Sequence, residues 1–201
     1  MVRSPKMRTD PARPPIRHPA PDAPRLVGRL GSERLIDVWL RVTSGVVKYG
    51  FAVEYRDLEP PRVGTFDGLR ITIDPDHGFE MQCFVLLHLF GHSVQWVAPA
   101  LESGLDALRS TEDRGRFMHA LRAYEFEAAR FGLQLLREVG VNGLDQWYSD
   151  FVETDWRYVE GFYRTGQIPP WEDCVATGCA LIQPAPIPEL RHRQVEVRYA
   201  F

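Results

Sequence analysis

The sequence predicts an α+β fold built around a central apolar helix. Its 201 residues, 44% hydrophobic and 25% charged, are typical of a globular protein of one or two domains. Four segments show helical spacing of apolar residues, and short apolar segments flank an Asp-Gly pair. The predicted order is one helix, a small sheet, three helices and a final strand, which is an α+β arrangement.

The chain divides into three regions. Residues 1–24 carry seven of the sixteen prolines and few large apolar side chains, so we expect an extended or disordered tail. Residues 25–170 form the predicted folded domain. Residues 171–201 form a C-terminal extension, in which alternating apolar residues over 195–199 predict a final strand.

The first predicted helix begins at Ser32, a residue type that caps helix N-termini. Apolar residues then recur at helical spacing for about four turns. Gly50 is the kind of residue that ends a helix, and residues 51–55 follow as a short strand.

A hairpin is predicted next. Residues 63–66 and 69–73 flank Asp67-Gly68, and this dipeptide is among the strongest signals for a tight turn between antiparallel strands. We therefore expect a small sheet before the central helix.

Three helices complete the predicted core. Residues 79–97 are apolar on nearly all faces, which predicts a helix at the centre of the domain. The second helix spans about 112–139 and the third about 144–163, separated by a glycine-rich turn. Pro169-Pro170 is expected to close the helical part.

The central helix carries two histidines that indicate a metal site. His88 and His92 are four residues apart and therefore share one helix face, where two imidazoles can bind a single metal ion. Both side chains could instead be core histidines bonded to neighbours. Because this helix offers few polar partners, and buried polar groups without partners are costly, the metal site is favoured.

The second helix supplies the third predicted ligand. Glu125 lies on the flank of the apolar stripe, and a carboxylate that faces the core favours a cation. Glu127 lies on a more polar face, three residues before Arg130, a spacing that allows a surface ion pair. The predicted ligands are therefore His88, His92 and Glu125, with zinc as the expected metal.

The third helix places one acid in an apolar environment. Asp155 lies in the middle of the apolar stripe, whereas Asp150, Glu153 and Glu160 point elsewhere and are expected to be solvated. Asp155 is a candidate catalytic base, a further ligand, or an acceptor that orients a ligating histidine. A structural carboxylate paired with an arginine or a helix end is the alternative.

These motifs resemble a known family. The run ITIDPDHGFEMQCFVLLHLFGHSVQW, followed by YEFEAARFGLQLL, resembles the ImmA/IrrE-type zincin metallopeptidases over 69–136. That family has a strand, then a helix with HExxH, then a helix that supplies a glutamate. The resemblance implies a zincin-like fold, with His88, His92 and Glu125 as the metal ligands.

The sequence departs from the family pattern at three positions. Leu89 occupies the place of the glutamate that acts as general base, Ala129 replaces an asparagine, and Gly132 replaces an alanine. General acid–base catalysis typically contributes about 10² to 10⁴ in rate. We therefore expect peptidase activity by the family's route to be severely reduced or absent.

Three functions are compatible with this pattern. The favoured one is a diverged or inactive peptidase, a pseudoenzyme that acts through a protein or peptide partner. The second is a hydrolase with a relocated base, for which Asp155, Glu80 and Glu153 are candidates in falling order. The third is an iron enzyme, because two histidines and one carboxylate also bind non-haem iron. Aromatic residues of the third helix offer material for a contact surface with a partner, although core packing is expected for most of them: Trp147, Tyr148, Trp156, Tyr158 and Tyr163.

Composition argues against several other classes. The net charge of −3 and pI of about 6.1 give no global basic field for nucleic acid. We expect no membrane span and no secretory signal, and the odd count of three cysteines favours a reducing compartment, so the predicted location is the cytoplasm. Cys174 and Cys179, with His192 beyond them, have a spacing that also occurs in zinc sites.

Overall fold

The computed structural model describes residues 32–59, 62–101 and 113–194. The predicted tail over 1–24 and the predicted strand over 195–199 lie outside these residues. The described part is an α+β structure, as the sequence predicts, with five helices and one three-stranded sheet. Its elements are α1 (Ser32–Lys48), β1 (Ala52–Tyr55), β2 (Gly64–Phe66), β3 (Arg70–Ile73), α2 (Phe79–Val97), α3 (Arg114–Glu138), α4 (Asp145–Thr165) and α5 (Trp171–Cys174).

The sheet has β3 at its centre. β1 pairs with β3 in parallel, and β2 pairs with β3 antiparallel on the other side. The hairpin at Asp67-Gly68 is confirmed: the Asp67 carboxylate accepts hydrogen bonds from the backbone N–H groups of Leu69 and Arg70. Gly68 adopts φ of +84°, a left-handed conformation that disfavours other residues.

Helix α2 is the centre of the molecule, and it begins and ends where the sequence predicts. It packs against α1, α3 and the sheet, and 15 of its 19 residues are buried. This surrounding explains why the helix is apolar on nearly all faces. Among the described residues, none of the helices combines the length and apolar character needed to cross a bilayer.

The contact between α2 and α3 is unusually close. A methyl group on Gly91 would overlap the backbone of Ala128, so only glycine permits the two helices to approach at this level. Gly132 of α3 makes a second close contact. A methyl group there would overlap the Tyr148 hydroxyl and lie 2.8 Å from the carbonyl oxygen of Leu87, one turn before Gly91 on α2. Tyr148 thus occupies the space that a side chain at position 132 would need.

Helix α5 corrects the prediction that Pro169-Pro170 ends the helical part. Pro170 immediately precedes this short helix, a place where the missing N–H of proline costs little. Trp171 is buried and its ring lies 5.5 Å from that of Tyr158, so α5 packs onto α4.

The C-terminal segment from 175 to 194 crosses the helices without regular secondary structure. Its backbone N–H groups donate to acceptors on α4 and α3 at every third residue, which replaces the hydrogen bonding that a helix or strand would provide. These bonds are Ala176 to Thr154 Oγ1, Cys179 to Asp150 Oδ1, Ile182 to Ser149 Oγ and Ala185 to the Arg130 carbonyl oxygen.

This segment explains one wrong prediction from the sequence. Asp150 was expected to be solvated, but it is buried because the segment covers α4. Its carboxylate accepts hydrogen bonds from the backbone of Cys179 and from the side chain of Gln146.

Candidate metal centre

The three predicted ligands meet in the contact between α2 and α3. His88 and His92 lie one turn apart on α2, and Glu125 faces them from α3. Their relative exposures are 1%, 2% and 7%. The two Nε2 atoms are 2.9 Å apart, and Glu125 Oε2 lies 3.1 Å from His88 Nε2 and 3.2 Å from His92 Nε2.

This triangle of donor atoms fits a metal ion. In a tetrahedral zinc site with bonds of about 2.0 to 2.1 Å, two ligand atoms are separated by about 3.3 Å. Bonds of the same length on one face of an octahedron, the arrangement of iron sites with two histidines and one carboxylate, give about 2.9 Å. The observed separations run from 2.9 Å, the octahedral value, to 3.2 Å, just below the tetrahedral one. The group could therefore hold a metal ion, and the geometry does not choose the metal.

Aromatic rings enclose the histidines. Phe66 of β2 is nearly parallel to His92, with an interplanar angle of 9°, and Tyr124 of α3 lies 5.0 Å from the same ring. Burial lowers the pKa of His88, and the hydrogen bond with Glu125 and the charge of Asp155 oppose this shift only in part. The neutral imidazole that results is the form that binds metals.

Two residues that the sequence analysis did not assign to the site form its outer layer. His92 Nδ1 is 2.9 Å from Gln95 Oε1, and Gln95 Nε2 donates to the Tyr124 carbonyl oxygen at 2.9 Å and to Glu127 Oε2 at 2.8 Å. Gln95 is three residues after His92, so helical spacing places it on the same face. Glu127 and Arg130 have other partners than the ion pair that their spacing allows: Glu127 is half-buried and bonded to Gln95, whereas Arg130 donates to the Gln183 carbonyl oxygen.

The side chain of Leu89 on α2 packs against the edge strand β2 of the sheet. It is 0% exposed, and a methyl group on Gly64 of β2 would come within 2.8 Å of both Leu89 Cδ1 and Val85 Cγ1. The position at which the family pattern carries a catalytic glutamate therefore belongs to the hydrophobic core.

The candidate bases differ in their surroundings. Asp155 is buried on α4, and its charge acts on the pKa of His88, but it does not belong to the group of three possible ligands. Glu80 accepts a hydrogen bond from Trp147 Nε1 at 2.8 Å. Glu153 forms ion pairs with two arginines at the surface, Arg122 and Arg157.

The cysteines do not form a second metal site among the residues that the structure describes, because neither of the two possible ligand groups there contains a cysteine. The ring of His192, the third predicted member, instead packs against that of Phe51 in a tilted arrangement, with 4.7 Å between the ring centroids. The second ligand group consists of Asp57, Asp74 and Asp76, and two of these carboxylates are exposed. Asp74 accepts hydrogen bonds from the backbone of Leu58 and Asp76, which is a local loop arrangement.

The aromatic residues of α4 are mostly core residues. Trp147, Tyr148, Trp156 and Tyr158 are buried, and Tyr163 is half-buried. Core packing, which the sequence analysis expects for most of these residues, is therefore confirmed for the four buried ones, and they offer no contact surface for a partner. Their packing against α2 and α5 instead fixes the position of α4.

Comparisons with known proteins add no relatives. No protein-family model matches the chain, and searches of the curated proteins and of the solved structures gave no match.

Proposed function

We propose that this protein binds zinc in a zincin-like centre of His88, His92 and Glu125 and acts through a protein or peptide partner rather than by hydrolysis. The observation that carries the proposal is the convergence of three metal-binding atoms, all within 3.2 Å of one another, in a buried helix contact. A buried carboxylate is costly without a positive partner. A divalent cation shared with two neutral imidazoles supplies that partner.

The absence of a base at position 89 argues against hydrolysis by the family's route. A zinc ion bound there would supply a Lewis acid that activates water. Leu89 can neither accept nor donate a proton, and its side chain packs against β2 rather than facing solvent. Because all three ligands are more than nine-tenths buried, the centre is better suited to joining α2 to α3 than to receiving a peptide chain.

Elemental analysis tests the metal centre. We expect about one equivalent of zinc in the gently purified chain and its loss in His88→Ala and in His92→Ala. His119→Ala is the matched control, because His119 is an exposed histidine of α3 and should leave the zinc content unchanged. Equal metal in the chain and in His88→Ala would contradict the proposal, and iron in place of zinc would support the alternative iron centre.

Stability gives a second measure of the same centre. Zinc at a concentration of 100 times its Kd should stabilise the fold by about 2.7 kcal/mol. A chelator should therefore lower the melting temperature of the chain but not that of His88→Ala. A chelator effect of equal size on both proteins would contradict binding at this centre.

A hydrolase with Asp155 as a relocated base is the second candidate. The observation that favours it is that Asp155 is buried and close enough to His88 for its charge to act on the pKa of that imidazole. In that case Asp155→Asn should abolish peptide turnover while the metal content stays the same. Zinc-loaded chain that hydrolyses no peptide in a mixed library would instead favour the partner-binding function.

A further inference from the structure

The orientation of the Gln95 amide is fixed by its three hydrogen bonds. Its Nε2 atom faces two acceptors that carry no proton of their own, the Tyr124 carbonyl oxygen and Glu127 Oε2, at 2.9 and 2.8 Å. An amide NH₂ group has two protons to donate, so both bonds are satisfied at once. The Gln95 oxygen must therefore be the atom that faces His92.

This orientation determines the tautomer of His92. Gln95 Oε1 can only accept, and it lies 2.9 Å from His92 Nδ1, so the proton of the neutral ring must be on Nδ1. The Nε2 lone pair then points toward His88 and Glu125. It is 3.2 Å from a Glu125 oxygen that also offers a lone pair, which is an arrangement that favours a cation between the two atoms.

We propose that Gln95 is a positioning residue that holds His92 in the tautomer with the proton on Nδ1, so that Nε2 binds the metal, and that Glu127 acts by holding Gln95. The part about metal affinity rests on the proposed zinc centre. The part about the tautomer does not, because the hydrogen bonds that determine it belong to the chain alone.

A two-bond ¹H–¹⁵N NMR spectrum of the histidine rings tests the tautomer in the metal-free full chain. We expect the protonated-nitrogen signature at His92 Nδ1 and the unprotonated signature at Nε2. In Gln95→Leu this preference should be lost, because leucine accepts no hydrogen bond. A proton on Nε2 of His92 in the unsubstituted chain would overturn the proposal, whatever the result for metal binding.

Zinc affinity, measured by competition with a chelator, tests the consequence. Removal of an outer partner of a ligating histidine typically weakens binding by about 10- to 100-fold, and we expect this for Gln95→Leu. Gln82→Leu is the matched control, because Gln82 is also a buried glutamine of α2 but donates to the carbonyl oxygens of Pro75 and His77. Its zinc affinity should stay within about twofold of the original if only the outer partner matters.

A double-mutant cycle tests the role of Glu127. Glu127→Leu should weaken zinc binding in the original chain but have no further effect in Gln95→Leu, since it acts through Gln95. Full additivity of the two effects would overturn this part of the proposal. If no variant and no original chain binds zinc, yet the His92 tautomer is as expected, the proposed zinc function fails while the tautomer assignment stands.

Discussion

At the scale of single residues, Leu89 is the position on which the proposed absence of hydrolysis depends. The candidate ligand positions have the residue types of the pattern that the motifs resemble, whereas position 89 carries leucine where that pattern has glutamate. The structure shows why a glutamate at this position is not expected to produce activity. Leu89 is in contact with the underside of β2, so its side chain supports the core as well as occupying the place of the base.

We therefore predict that Leu89→Glu destabilises the protein without producing a peptidase. Burial of a carboxylate without a partner should lower the free energy of unfolding by about 3 kcal/mol. Urea denaturation measures this change, and Leu89→Met is the control, with an expected cost below about 1.5 kcal/mol. A variant that is as stable as the original and cleaves peptides would show that position 89 faces an open site.

Helical spacing was sufficient to predict that the three candidate ligands lie together, but not the residues that surround them. His88, His92 and Glu125 could be predicted because each lies on the core-facing side of its own helix. Gln95 was missed because a single glutamine on an apolar helix has many possible roles. Glu127 was placed on a polar face of its helix. A helical wheel covers one helix only, so it cannot show that the side chain of Gln95 on α2 bonds to Glu127.

At the scale of elements, the site depends on how closely α2 and α3 approach. Gly91 lies between the two histidine ligands on α2 and opposite Ala128, three residues after Glu125. The absence of a side chain at Gly91 brings the two helix backbones together at the level where the ligands meet. The glycine in HLFGH is thus explained by packing between helices.

Gly91→Ala should push the helices apart and weaken the centre. We expect at least a tenfold loss of zinc affinity and a decrease of about 1 to 3 kcal/mol in the free energy of unfolding, as for other overpacked cores. Gly78→Ala is the control, since nothing lies within 4 Å of a methyl group at that position just before α2. Unchanged zinc affinity in Gly91→Ala, measured by chelator competition, would show that the ligands do not depend on this contact.

At the scale of the whole molecule, the predictable parts are those with local signals. The helix periodicities and the Asp67-Gly68 turn specified the helices and the hairpin from neighbouring residues. The segment over 175–194 has no such period, and its path is set by side chains of α4 that are about 20 to 30 residues earlier in the chain. A helical wheel of α4 could therefore not show that this segment buries Asp150.

This segment links the elements that carry the site. It bonds to α4 through Ser149, Asp150 and Thr154, to α3 through the Arg130 carbonyl oxygen, and to the end of α2 through the Val97 carbonyl oxygen. The backbone donors of Ala176 and Ile182 are in buried residues, so loss of their acceptors leaves unsatisfied N–H groups.

Thr154→Val and Ser149→Ala should each lower the free energy of unfolding by about 1 to 3 kcal/mol, because each removes the acceptor of a buried backbone N–H. Thr165→Val is the control: its hydroxyl is exposed and water can replace its bonds, so a change within about 0.5 kcal/mol is expected. Hydrogen exchange at Ala176 and Ile182 should accelerate in the two buried variants and stay unchanged in Thr165→Val. Equal stability of all three variants would show that the segment lies on the helices without holding them, and the cohesion of α2, α3 and α4 would then have to come from their apolar contacts alone.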